Sequence, residues 1–162
     1  FGGIEKLHNV RHWKSIKDKQ DLINSIRYTD FFFHLKPFNN SWRLVDKIKR
    51  VSDGDWGICS TPLEGDTNNS AYWKRRWLEE YSLMPRVDQC IFTSNKHKYA
   101  WSPLTGRPNI LIDDKPENIK RWNDDGGIGI RYQANEDDMV EYLYDELEKA
   151  LEESNNTRPQ HC

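Results

Sequence analysis

The sequence predicts an α/β fold, a parallel sheet with helices wound on both faces. Short apolar runs bounded by Gly, Pro, Asp or Ser recur at residues 56–60, 88–92, 109–113 and 127–132, as buried strands do. Helical patterns lie between most of them, and strands that alternate with helices assemble as a parallel sheet.

Taken in order, the first half is helical. DKQDLINSIRY (18–28) reads as a helix and FFFHLKPF (31–38) as an aromatic cluster. NSWRLVDKIKRV (40–51) reads as a second helix with Asn40 or Ser41 as cap. No clear strand precedes residue 50. WGICS (56–60) is the first strand. NSAYWKRRWLEEY (69–81) follows as a helix opened by Asn69 or Ser70, with Tyr72, Trp73, Trp77 and Tyr81 close to one face. DQCIF (88–92) and NILID (109–113) are the next strands. Pro116 suits the first turn of PENIKRWNDD, and Gly126-Gly127 stop that helix. GIGIRY (127–132) is the last strand. EDDMVEYLYDELEKALEE (136–153) has acids in its first turn and a stripe of Met139, Val140, Leu143, Leu147 and Leu151. Residues 155–162 are polar and expected to fray.

The 162 residues suffice for a single domain with a real core. A net charge of -2 and a pI near 6.2 give no reason to expect non-specific nucleic-acid binding. No apolar run approaches the roughly 18 residues of a membrane span. The three cysteines, Cys59, Cys90 and Cys162, are far apart and form no zinc spacing. A reducing, cytoplasmic setting is the simplest expectation. The five histidines show no metal-ligand spacing either. Oligomeric state, monomer or homodimer, is left open.

In open parallel sheets, ligands bind at the carboxyl ends of the strands. Ser60 and Thr61 follow the first strand, Lys96 the second, and Asp113 and Asp114 the third. Hydroxyls and turn N–H groups hold phosphate oxygens, a lysine supplies a point charge, and paired carboxylates suit Mg2+. Each alone has an ordinary reading: a turn for Ser60-Thr61, a solvated surface residue for Lys96, a helix cap for the aspartates. Their order and spacing together favour a phosphate-and-magnesium site. Cys59, inside a strand, reads as a small core residue.

The series ICSTPL (58–63), a helix bearing Lys74-x-x-Trp77, FTSNK (92–96) and LIDDKPENI (111–119) resembles the haloacid dehalogenase-like phosphatase superfamily. Within it the pattern is similar to the 5'(3')-deoxyribonucleotidase family. The resemblance covers most of residues 28–122 and is specific at 58–63 and 109–116. It implies a Rossmann-like core over 51–154 and a small helical cap with its lead-in helix over 1–50. It implies that Ser60 or Thr61, and Lys74, hold the phosphate. Lys74 reads equally well as a charge on the wet face of its helix. Lys96 would neutralise charge, and Asp114 with Asp113 would hold Mg2+ directly or through water. The implied substrate is a nucleoside monophosphate, with Phe32 and Trp13 as candidate base-stacking residues, although three aromatics in a row also read as core. If residues 31–33 are extended, Phe31 and Phe33 face one way and Phe32 the other.

The implied chemistry is attack by an aspartate on phosphorus, with a second aspartate two residues later as acid and base. That pair belongs to a DxDG motif after the first strand of the family. Asp53-Gly54-Asp55 precedes a strand instead. Phe1-Gly2-Gly3 resembles the continuation of that motif, so the expectation is that the chain begins just after it. A nucleotide-binding pseudoenzyme and a phosphatase for polynucleotide ends or another small phosphoester are the alternatives.

Overall fold

The computed structural model describes residues 19–134 and 140–157. The expectations for Trp13, for Met139 and the acids before it, for the Val140 side chain and for the tail beyond residue 157 lie outside them. The fold is mixed α/β. Contacts divide it into two units: residues up to Asn39 with Trp56–Ser94, and Asn40–Asp55 with the residues from Asn95 onward.

The first unit holds α1 (Lys19–Ile26), a 3-10 turn at Phe31–His34, β1 (Ile58–Ser60), α3 (Thr67–Glu80) and β2 (Cys90–Phe92). β1 and β2 pair in parallel, Cys59 opposite Ile91. Gly57 admits the chain to β1, because a Cβ there would lie 2.5 Å from the Gln89 carbonyl oxygen. The aromatic triplet is not extended. Its 3-10 turn is closed by the Phe33 N–H donating to the Asp30 carbonyl at 2.9 Å, so strand alternation does not apply. Phe33 packs on Trp73 with ring centroids 5.7 Å apart, and Trp77 Nε1 donates to the Leu35 carbonyl at 2.5 Å. The sequence therefore anchors this turn through the apolar face of α3.

α3 also starts earlier than its expected caps. Asp66, not Asn69 or Ser70, precedes its first residue. Asn69 and Ser70 are already satisfied inside the helix. Asn69 Oδ1 accepts from Trp73 Nε1 at 3.1 Å, and the fully buried Ser70 Oγ accepts from the Leu63 N–H at 2.8 Å.

The second unit holds α2 (Ser41–Val51), β3 (Trp101–Ser102), β4 (Arg107–Pro108), β5 (Ile110–Asp113), α4 (Pro116–Asp124), β6 (Ile128–Arg131) and α5 (Val140–Asn156). β5 and β6 pair in parallel, with Asp113 opposite Arg131. Both faces of this pair are covered. Ile110 and Ile112 pack with Leu143 and Leu147 of α5 and Leu44 and Ile48 of α2. Leu111 turns the other way, onto Trp122 of α4 and Ala100. Period-two strand geometry produces this split. Pro116 opens α4, and Gly126 ends it with φ +84°. Asn40 lies before α2 but makes no side-chain cap, because its Nδ2 donates instead to the Tyr132 hydroxyl at 2.7 Å.

Two features differ from expectation. The four expected strands form two separate parallel ladders, β1-β2 and β5-β6, and no further parallel strand among the described residues joins them. A small antiparallel hairpin, β3-β4, is additional. Its strands are too short for alternation to register, and only Pro103 and Gly106 mark its turn in the sequence. Among the described residues, no helix is long and apolar enough to cross a membrane.

Candidate phosphate and cation site

In the first unit the candidate phosphate-binding residues lie where β1 ends. The Thr93 N–H donates to the Ser60 carbonyl at 2.9 Å, carrying the ladder one bond past β2. The chain then turns through Thr61, which is exposed. The start of α3 is pinned beside it by buried Asp66, whose Oδ2 accepts from the Tyr28 N–H and from Asn69 Nδ2, both at 3.0 Å. That fixed start directs Lys74, two turns along, back to the strand end. Its Nζ donates to Ser60 Oγ at 3.3 Å and to the Thr61 carbonyl at 2.5 Å. The same ammonium lies 4.6 Å from the Phe32 ring centroid, within cation–π range. Lys74 is thus not a charge on the wet face of its helix. Ser60, Thr61, Lys74 and Phe32 come together.

In the second unit the candidate cation-binding residues lie at the end of β5. Asp113 is buried, and Lys96 Nζ donates to its Oδ2 at 2.5 Å. Oδ1 accepts from the Lys115 N–H at 2.8 Å, which supplies the start of α4 with an acceptor. Asn118 Nδ2 reaches both oxygens, at 3.0 Å and 3.2 Å. Asp113 therefore anchors the residue before α4 and pairs with the Lys96 ammonium at once. Asp114 beside it is exposed, with no hydrogen bond or ion pair among the described residues.

Lys96 opens a 3-10 turn, Lys96–Tyr99, and His97 fastens that turn to α4. His97 Nδ1 pairs with Asp125 at 2.6 Å, and Nε2 meets Arg121 Nη2 at 2.5 Å. A guanidinium only donates, so Nε2 accepts and Nδ1 carries the proton toward Asp125. His97 is thus a structural clasp between this turn and α4.

No three His, Cys, Asp or Glu side chains among the described residues cluster as a metal site. The donors that are present fit Mg2+ in one respect. That ion commonly takes one or two protein carboxylates, with waters and substrate phosphate completing its shell. Asp114 offers an unengaged carboxylate, whereas the Asp113 oxygens are occupied by protein donors.

Asn118 and His97 are the residues that sequence reasoning missed. Asn118 was detectable: a helix opened by Pro116 returns its third residue toward the strand end it follows. No family model, curated protein or solved structure matches this chain.

Proposed function

We propose that the protein is a magnesium-dependent phosphatase of the haloacid dehalogenase type, acting on nucleoside monophosphates and preferentially on deoxyribonucleotides. The observation that carries the reading is the Lys96–Asp113 pair, buried at the carboxyl end of β5 with Asp114 exposed beside it. A second strand end offers Lys74 with the Ser60 hydroxyl.

In this reading Ser60, Thr61 and Lys74 hold phosphate oxygens through hydroxyl, N–H and ammonium donors. Lys96, kept in place by Asp113, neutralises charge that builds as the phosphoryl group transfers. Asp114 would hold Mg2+, which when bound polarises a phosphoryl oxygen. Phe32 offers a ring to the base. The chemistry calls for an aspartate nucleophile that attacks phosphorus. A cytoplasmic role in nucleotide metabolism fits these assignments.

A nucleotide-binding protein without turnover is the second reading. It is favoured by one observation: the only Asp-x-Asp triplet in the chain, Asp53-Gly54-Asp55, lies in the turn before β1 and not after a strand. Phosphate release from a panel of nucleoside monophosphates, measured beside their binding to the same protein, separates the two. Turnover supports the first reading, and binding without turnover supports the second.

A further inference from the structure

An ionised carboxylate offers about four lone-pair positions. Asp113 fills them from three residues: the Lys115 N–H on Oδ1, Lys96 Nζ on Oδ2, and Asn118 Nδ2 across both. Only Asn118 touches both oxygens, and so it braces the carboxylate between its other two donors. It stands in the first turn of α4, where asparagine is a mediocre helix former. Helix propensity does not account for it.

We propose that Asn118 is a positioning residue. By bracing the Asp113 carboxylate, together with the Lys115 N–H, it limits where Oδ2 presents itself, and so helps hold the Lys96 ammonium at the end of β5. This deepens the phosphatase reading and rests on it for its functional consequence. With Asn118 removed, Asp113 keeps one donor on each oxygen but loses the brace between them and is held less tightly. Lys96 then follows the carboxylate or turns to solvent.

The test is competitive lysine labelling of the full-length protein with an amine-acetylating reagent at one pH, read peptide by peptide by mass spectrometry. Lys120, with 76% of its side chain exposed, is the fast reference. Lys47, at 22% and paired with Glu148 in the same unit, is the control for general loosening. In the wild type Lys96 is expected to label slowest of the three. Asn118→Ala is expected to raise its rate about fivefold, the effect of one lost hydrogen bond. Asn118→Leu, similar in size but unable to donate, is expected to raise it by a similar amount, and it carries the test if the alanine variant does not fold. Lys47 stays unchanged in both. Equal Lys96 rates in all three proteins would overturn the proposal, as would a rise at Lys47 in step with Lys96. Magnesium titration by calorimetry on the same samples separates the two claims. A wild type that binds no Mg2+ while Lys96 still responds to Asn118 sinks the phosphatase reading and leaves the positioning role standing.

Discussion

Lys96 Nζ and Asp113 Oδ2 lie 2.5 Å apart, with only 11% and 5% of the two side chains exposed. Lys96 begins a short 3-10 turn, and Asp113 ends β5. The pair therefore ties the segment after β2 to the strand end that begins α4. A buried pair of this kind contributes little net stability over an apolar pair, but losing one member is costly.

Lys96→Ala should destabilise the protein by about 3–5 kcal/mol, because the Asp113 charge stays buried without its main cation. Lys96→Met with Asp113→Asn should recover part of that loss, since the pair is then neutral. Urea midpoints of the single and double variants check this. A lysine-to-alanine variant that unfolds at the wild-type midpoint would show the pair to be solvated.

Trp122 is 3% exposed, and its Nε1 donates to the Asn109 carbonyl at 3.0 Å. Trp122→Ala should cost about 3–5 kcal/mol. Trp122→Phe should cost about 1 kcal/mol through the lost hydrogen bond, because the Asn109 carbonyl still accepts from the Ile128 N–H at 3.0 Å. Gly127→Ala probes the same packing from the other side, because its Cβ would lie 2.2 Å from Trp122 Nε1. Denaturant titration of the glycine variant should show a clear loss, and an unchanged midpoint would contradict the packing described.

Lys74 contacts Ser60, the Thr61 carbonyl and the Phe32 ring. Lys74→Met keeps the aliphatic stem and removes the charge. Affinity for a nucleoside monophosphate should fall about tenfold or more, the effect of one charge-assisted hydrogen bond. Calorimetric titration of both proteins measures it. Equal affinities would assign Lys74 to local structure alone.

Cys90 is buried, and that burial pushes its thiol up from the ordinary value of 9.0, with Arg75 opposing in part. The folded state thus favours the neutral thiol. The sign follows: its stabilising contribution is complete below about pH 9 and declines as pH rises through and beyond that value. At pH 8, iodoacetamide should modify Cys90 more slowly than the half-buried Cys59 on the neighbouring strand. Peptide mapping reads the order, and the reverse order would place Cys90 nearer solvent than described.

Much of this organisation was legible in the sequence. Pro116 and Gly126 bracketed α4, and the alternation of Ile110, Leu111 and Ile112 shows in the two packed faces of β5. Lys96 and Asp113 were legible as residues at strand ends, but their direct pairing was not, since β2 and β5 lie in different ladders. What was not legible depends on tertiary contacts. The Phe31–Phe33 turn is set by Trp73 and Trp77, and a triplet of identical residues carries no period of its own. The start of α3 is displaced because Asn69 and Ser70 find partners within the helix and in the preceding turn. His97 reads as ordinary until Arg121 and Asp125, far along the chain, close on it.

The most direct test of the account is magnesium-dependent phosphate release from deoxyribonucleoside monophosphates, with Asp114→Asn measured beside the parent protein. Asp114 is exposed and bonded to nothing among the described residues, so the substitution leaves folding intact. The account predicts release by the parent that stops with chelator and is lost in the variant. Release unchanged in Asp114→Asn, or none from a folded parent that binds magnesium, would contradict it.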